Sequence, residues 1–415
     1  MPLGYTMGDN DPVSIDERQD HRLLTGELED AMVRLENTAD TPSLRVKKWM
    51  PSRPTTAAIA GGMILGVALF VIPMPYVLES PGPTFNVVGS YRGTDLIAIS
   101  GTDPDSGQSV AVEPSTETED GVGQLRMVTV SQRGGPSARL NLAELVMGYF
   151  DSKSVLVPYE EEYPSDVSQE EVDQAQSALM SNSQSTAEVA ALESLGWDVP
   201  ASVRVVQAVK GTNAEDSVQS GDLLVSLTDA QGVVHPIDRA STVFALVKTI
   251  PAGTTLTLTV ERDGEQVDIP ITTVAAPEGQ HGSRLGVYLS VEATLPFDIQ
   301  FNLKAVGGPS AGMMFALGII DRMTPGALAG TESIAGTGTM SYDGDVGAIG
   351  GIVQKMWGAK RDGASWFLAP SSNCDEVVGN APEGLSVVSV STLSEARTAV
   401  ETIAAGQGDT LPTCE

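Results

Sequence analysis

The stretch from residue 307 to residue 320, GGPSAGMMFALGII, decides how the C-terminal part of the chain is interpreted. Its glycines allow a tight turn, and the uncharged apolar run after them predicts a buried helix. Gly308, Pro309 and Ala311 flank Ser310, so the turn would present the Ser310 hydroxyl at the start of that helix. Unpaired backbone N–H groups at a helix start stabilise a developing negative charge. Taken alone, the pattern also fits an ordinary connection between a loop and a helix.

Residues 308–312 also match the Gly-x-Ser-x-Gly turn that carries the nucleophile of α/β-hydrolases. That class needs its histidine after the serine in the chain. The histidines of this chain all precede Ser310, at His21, His235 and His281. The sequence therefore argues against an α/β-hydrolase.

A nucleophilic serine without a histidine needs another base, and lysine is the usual substitute. The lysines after Ser310 are Lys355 and Lys360. A base that works near neutral pH needs a pKa of about 7–8, whereas the reference pKa of lysine is about 10.4. Burial among the apolar side chains around Lys355 would lower its pKa toward that range.

The order of these motifs resembles the proteolytic domain of Lon proteases. Gly-Pro-Ser-Ala-Gly is followed by Thr337-Gly338, by Gly-Asp-Val at 344–346 and by a Gly-Gly pair just before Lys355. The resemblance covers about residues 285–405 and implies that Ser310 is the nucleophile, that Lys355 is the general base and that Thr337 orients the lysine. Thr339 stands where the family usually has glutamate.

An uncharged run from Thr55 to Leu78 is long enough to span a bilayer as one helix. Basic residues precede this run and Glu79 follows it. This asymmetry predicts a cytoplasmic N-terminus, a single-pass anchor in the cell membrane and an extracytoplasmic remainder. A buried core helix and a cleavable signal peptide are the alternatives for this segment.

The rest of the chain divides by composition. Residues 1–54 are polar and predict a disordered cytoplasmic tail. Residues 79–200 predict an external segment of strands and helices, in which Ser168 caps a helix that reaches Leu195. Residues 201–274 resemble a PDZ domain, with a Gly221-Asp222 turn before a strand. Just upstream, Leu195-Gly196-Trp197 resembles the peptide-binding loop of that family. Gly196 also fits the C-terminal end of a helix. Residues 406–415 form a C-terminal tail.

Composition excludes other functions. The 415 residues carry 54 acidic and 24 basic side chains, a net charge of −30, which makes nucleic acid a poor partner. No Cys-x-x-Cys pair and no P-loop motif occur, so the sequence predicts no metal, no cofactor and no ATP. The only cysteines, Cys374 and Cys414, are expected to form a disulfide outside the cytoplasm, with two free thiols as the alternative.

The whole arrangement resembles the membrane-anchored, PDZ-containing Lon-like proteases of Gram-positive, in particular actinobacterial, organisms. The expected fold class is α+β and multidomain: a transmembrane helix, a β-rich external segment, a PDZ domain and a Lon-type proteolytic domain. The resemblance implies an ATP-independent serine endopeptidase that cleaves unfolded or exposed polypeptides, selects them through the PDZ domain and assembles as a ring such as a hexamer. The alternative from another class is a non-catalytic PDZ scaffold at the membrane.

Overall fold

The computed structural model describes residues 62, 66, 70–102, 123–163, 167–276, 282–303 and 306–414. The predicted cytoplasmic tail, residues 1–54, lies outside the described residues. The described part is a mixed α/β fold.

The expectation of a transmembrane helix over residues 55–78 is corrected by the structure. Among the described residues, no helix combines the length and the apolar character needed to cross a bilayer. Most of the first part of the predicted span is outside the described residues, and its last part forms strands at Pro73–Met74 and from Tyr76 onward. Prolines remove backbone donors and interrupt a helix, and Val77 is fully buried in a sheet.

The described strands are β1 (Pro73–Met74), β2 (Tyr76–Asn86), β3 (Ser90–Tyr91), β4 (Thr94–Asp95), β5 (Ile97–Ser100), β6 (Gln124–Arg133), β7 (Leu140–Asn141), β8 (Val155–Pro158), β9 (Ala201–Ala208), β10 (Leu223–Thr228), β11 (Val234–Pro236), β12 (Thr255–Arg262), β13 (Glu265–Thr272), β14 (Val274–Ala275), β15 (Ser283–Arg284), β16 (Val287–Ala293), β17 (Asp298–Phe301), β18 (Ser333–Gly336), β19 (Thr339–Met340), β20 (Val346–Gly347), β21 (Trp366–Pro370) and β22 (Ser386–Val390).

The described α-helices are α1 (Leu142–Phe150), α2 (Tyr159–Glu162), α3 (Gln169–Ser194), α4 (Ala240–Thr249), α5 (Gly312–Met323), α6 (Ile352–Arg361), α7 (Cys374–Val377) and α8 (Leu393–Ala404). Helix α3 begins where the sequence predicts, because the Ser168 hydroxyl accepts from the backbone N–H of Glu171 and the Glu171 carboxylate accepts in return from Ser168. It ends at Gly196, whose φ of 87° is the left-handed conformation that glycine adopts readily. Leu195-Gly196-Trp197 is thus the end of this helix.

A six-stranded sheet in the order β22-β21-β18-β6-β2-β8 forms the centre of the part of the chain that contains Ser310 and Lys355. The strands β22, β21, β18 and β6 are parallel, whereas β2 and β8 are antiparallel to their neighbours. Three strands from the first half of the chain, β2, β6 and β8, therefore build one sheet with three strands from its last third. Helix α5 packs in a larger core on one face with Leu125 and Met127 of β6, and helix α6 packs in a second core on the other face with Val128.

A second sheet, in the order β13-β12-β10-β9-β16 with β11 beside β10, packs with helix α4 around its own core. Two features stabilise its Gly221-Asp222 turn. Gly221 has a φ of 93°, and the buried Asp222 carboxylate accepts two hydrogen bonds of 2.7 Å from the Arg262 guanidinium. Strand β16, which follows residue 285, pairs with β9 along its length. We call this sheet with α4, residues 201–293, the β-rich unit.

The C-terminus is attached to the central sheet. Cys374 and Cys414, the pair expected from the sequence, form a disulfide with their Cα atoms 4.9 Å apart. The backbone N–H of Ser389 in β22 also donates to the carbonyl of Pro412 at 2.9 Å. These contacts hold the end of the chain against the edge strand.

Candidate active site

The turn that carries Ser310 lies directly before helix α5. Gly308 has a φ of 87°, a conformation that favours glycine, and it lets the chain turn into the helix. Ser310 is half-buried, whereas the residues from Ala311 to Ile320 are buried in the larger core. Because the helix after it is so completely buried, the position of Ser310 is fixed at the surface of that core.

Strand β18 and the residues after it hold the turn from one side. The carbonyl of Ser310 accepts from the Thr337 hydroxyl at 3.0 Å and from the backbone N–H of Gly338 at 2.9 Å. The carbonyl of Gly338 in turn accepts a hydrogen bond of 3.1 Å from the backbone N–H of Met313. Thr337 is 1% exposed, so this contact is shielded from water. The sequence predicts that Thr337 orients the lysine; the contact observed here is with the main chain of Ser310.

Helix α3 holds the turn from the other side. The backbone N–H of Gly308 donates to the carbonyl of Gln176 at 3.1 Å. The Ser183 hydroxyl donates to the carbonyl of Pro309 at 2.9 Å. In both contacts the partner on α3, Gln176 or Ser183, belongs to none of the sequence motifs. Helix α3 lies more than a hundred residues before the turn.

Lys355 lies in the first turn and a half of helix α6 and is only 4% exposed. Burial, which disfavours the charged ammonium, lowers the pKa of Lys355 to about 8, and the negative charge of Glu79 on β2 opposes that shift. The Glu79 carboxylate accepts a hydrogen bond of 2.9 Å from Gln132. Lys360, the other downstream lysine, is bound elsewhere, since its ammonium donates to the carbonyl of Gly384 at 2.7 Å.

The start of helix α6 depends on Gly351. Its φ is 66°, and a Cβ atom at this position would come within 2.7 Å of the Val130 side chain on β6. The backbone N–H of Lys355 donates to the Gly351 carbonyl at 3.0 Å, which forms the first turn of the helix. The buried Asn373 side chain fixes the preceding loop by accepting from the N–H of Ile349 at 3.0 Å and donating to its carbonyl at 2.9 Å.

The topology brings the two candidate residues to the same edge of the sheet. β18 and β21 are parallel, so helix α6 between them runs back along the sheet and starts at the carboxyl end of β18. Helix α5 also starts at that end, because Ser310 contacts Thr337 and Gly338 just after β18. Ser310 therefore approaches this edge from one face of the sheet, and Lys355 approaches it from the other.

Several residues of this site carry no motif in the sequence: Gln176, Ser183, Glu79 and Asn373. Ser183 stands in a polar helix, where a serine ordinarily faces solvent. In the sequence, Glu79 is only the first charge after an apolar run. No local pattern identifies such residues, because their partners are set by the tertiary structure.

The C-terminal part is similar to a known protein family. Residues 304–401 match the model of the Lon protease (S16) C-terminal proteolytic domain. The chain is 28% identical to Lon protease 2 of Bacillus subtilis over 125 residues, which are 30% of this chain and 20% of that protein. It is 35% identical to the Lon protease of Clostridioides difficile over 91 residues, 21% of this chain and 11% of the relative. It is also 37% identical to the Lon protease of Citrifermentans bemidjiense over 82 residues, 20% of this chain and 10% of the relative.

These matches confirm the sequence-based expectation of a serine peptidase domain of the Lon type. The chain spans only between 10% and 20% of the length of these relatives. Among solved structures, the PDZ domain of an SdrC-like protein from Listeria monocytogenes is 18% identical and covers 21% of this chain and 85% of its own, with a TM-score of 0.18. A TM-score this low does not assign a fold to the β-rich unit.

Replacing Lys355 by methionine should stabilise the protein at pH 7. The unfolded chain carries a charged lysine, whereas burial lowers the pKa of Lys355 in the fold to about 8, a difference that corresponds to about 3 kcal/mol. The native fold binds fewer protons than the unfolded chain, so its free energy of unfolding rises as the pH increases from 8 toward the pKa of the unfolded lysine. The advantage of Lys355→Met should shrink over the same window. Urea unfolding at pH 7 and at alkaline pH measures both effects.

The matched control is Lys360→Met, in which a half-buried lysine with a hydrogen bond to the Gly384 carbonyl is removed from the same helix; it should give no stabilisation at pH 7. A Lys355→Met variant that is less stable than the native protein at pH 7 would show that the lysine is charged and paired, which contradicts its assignment as a neutral base.

Proposed function

We propose that this chain is a serine endopeptidase that cleaves exposed or unfolded polypeptides with Ser310 as nucleophile and Lys355 as general base. The observation that supports this most strongly is the nearly complete burial of Lys355, with its pKa lowered to about 8, on a helix that begins at the edge where the Ser310 turn lies. A lysine with this pKa is neutral often enough near neutral pH to accept a proton. The match of residues 304–401 to the Lon proteolytic domain supports the same assignment.

The chemistry follows from these positions. Neutral Lys355 accepts the proton of the Ser310 hydroxyl while the serine oxygen forms a bond to the peptide carbonyl carbon. Backbone N–H groups at the start of α5 stabilise the oxyanion that results. The Lys355 ammonium then donates its proton to the leaving amine as the peptide bond breaks. Water then attacks the acyl-enzyme while Lys355 accepts one of the water protons. The ester bond to Ser310 breaks, and the Lys355 ammonium returns this proton to the serine oxygen, which restores the Ser310 hydroxyl.

The proposed activity does not require ATP. The sequence contains no Gly-x-x-x-x-Gly-Lys-[Ser/Thr] motif, which is the element that would bind nucleotide phosphates in a motor domain. Without a motor to unfold them, the substrates are chains that are already unfolded, tails and exposed loops.

We also propose that the β-rich unit acts as a PDZ domain and helps to select these substrates, because an extended peptide can add as a strand to the free edge of such a sheet. Helix α4 of this unit contacts the turn between β19 and β20. The Lys248 ammonium lies 2.6 Å from the carboxylates of Asp343 and Asp345, and the rings of Phe244 and Tyr342 pack 5.4 Å apart. Burial lowers the pKa of Lys248, but the hydrogen bonds and charges of both aspartates outweigh it and raise the pKa.

The location and assembly of the enzyme follow as further proposals. The Cys374–Cys414 disulfide supports a place in an oxidising compartment outside the cytoplasm. Two cysteines that alkylate freely without reductant in the protein from its native source would contradict this. The resemblance to Lon-type domains supports a ring-shaped homo-oligomer, which light scattering of the purified protein measures.

The variants Ser310→Ala and Lys355→Met should each lower peptide hydrolysis at least about a thousandfold, because each removes a reacting group of the dyad. A serine-reactive phosphonate should label Ser310 in the native protein, with Lys360→Met as the active control. The rate should be the same with and without ATP. A native protein that neither hydrolyses peptides nor reacts with the phosphonate would instead support the non-catalytic scaffold, and hydrolysis that persists in either dyad variant would contradict the assigned residues.

The variant Lys248→Met should slow the cleavage of an unfolded protein several-fold more than the cleavage of a short peptide. The ion pair joins the β-rich unit to the loop that leads to Lys355, whereas a short peptide reaches the active site without that unit. Lys210→Met, which removes an exposed lysine from the same unit, is the matched control. An equal loss for both substrates would show that the ion pair supports the turn only.

A further inference from the structure

Helix α3 lies outside the span that matches the Lon proteolytic domain, and it contributes a buried serine to the nucleophile turn. Ser183 is 2% exposed in the middle of this helix. A helical serine without another partner bonds back to the carbonyl one turn earlier, as Thr186 does to Asn182 at 3.1 Å. Ser183 instead donates across the chain to the carbonyl of Pro309. A buried hydroxyl that makes no hydrogen bond destabilises the fold, and the bond to Pro309 removes this cost for Ser183.

The Pro309 carbonyl sets the direction of the Ser310 N–H. The two groups belong to one planar trans peptide unit, in which the carbonyl and the N–H point in opposite directions. Because Ser183 draws the Pro309 carbonyl toward α3, the Ser310 N–H points away from α3. On the next peptide unit, Thr337 and Gly338 hold the Ser310 carbonyl in the same way and set the direction of the Ala311 N–H.

Close packing of the two helices makes this contact feasible for a short side chain. Gly312 opens α5, and a Cβ atom there would lie 3.0 Å from the Ser183 hydroxyl and 2.8 Å from the Met340 side chain. The absence of a side chain at Gly312 therefore lets α3 approach the turn closely enough for the serine to reach Pro309. The backbone N–H of Gly312 also points at the Pro309 carbonyl, with 3.5 Å between the nitrogen and the oxygen. The hydrogen bond from Ser183 is the shorter of the two.

We propose that Ser183 is a positioning residue for peptide hydrolysis: it fixes the peptide plane whose N–H stabilises the oxyanion at Ser310. This inference rests on the proposed serine peptidase function. Removing an oxyanion donor outright costs about 100-fold to 1,000-fold in turnover. Loosening the peptide plane of that donor should reduce turnover by a smaller factor. We therefore expect Ser183→Ala to lower kcat about tenfold. KM should stay within about twofold, because the transition state is affected more than the bound substrate.

The experiment compares Ser183→Ala, Ser183→Thr and Ser177→Ala in the full chain, with a short peptide substrate and a peptidyl boronate inhibitor. Ser177 lies on the same helix, is exposed and donates only to the carbonyl of Asp173 at 2.7 Å, so it controls for a loss of helix hydrogen bonding. Ser183→Ala should lower kcat and the affinity for the boronate in parallel, since the boronate mimics the charged transition state. Ser183→Thr keeps the hydroxyl and should restore both, and Ser177→Ala should behave like the native protein.

The inference is overturned if Ser183→Ala has native kcat and native boronate affinity, whatever its melting temperature. It is also overturned if Ser183→Thr shows the same loss as Ser183→Ala. In both cases the native protein still hydrolyses peptide and reacts with the phosphonate, so the proposed function stands. A native protein without hydrolysis or phosphonate labelling overturns the proposed function itself, and this inference with it.

Discussion

The burial of one amino group, that of Lys355, is the constraint around which the proposed active site is built. Lys355 is 4% exposed, and the loss of hydration on burial lowers the pKa of its ammonium to about 8. The corresponding cost to the fold at neutral pH is about 3 kcal/mol, a substantial fraction of the stability of a domain. The surrounding core of α6 and the left-handed Gly351 maintain that burial. Glu79 limits the shift, so the lysine retains a pKa suited to exchanging protons near neutral pH.

Ser310, the proposed nucleophile, is held by two parts of the chain that are far apart in sequence. Thr337 and Gly338 bind the Ser310 carbonyl, and Ser183 binds the Pro309 carbonyl. The strands β2 and β6, which also precede the matched span, complete the sheet under the lysine helix. The site therefore includes β2, β6 and α3 as well as the residues that resemble the Lon domain.

Patterns that act over a few residues were predictable from the sequence. The turn before a buried helix at Ser310, the Ser168–Glu171 cap and the Gly196 helix end all depend on neighbours in the chain. The prediction at residues 73–78 was wrong because an apolar run suits a buried strand as well as a membrane helix, and only the partner strands decide between them. Ser183 and Glu79 could not be predicted, since their roles depend on partners more than a hundred residues away.

The most direct test of this account is the titration of Lys355 itself in the resting protein. Carbon-13 NMR of lysine labelled at Cε, with Lys355→Arg to assign the signal, follows its ionisation as the pH is raised. We expect a midpoint near pH 8, which moves to lower pH in Glu79→Gln because the opposing negative charge is removed. A midpoint near the ordinary lysine value of about 10.4 would contradict the claim that burial prepares Lys355 to act as the base for Ser310.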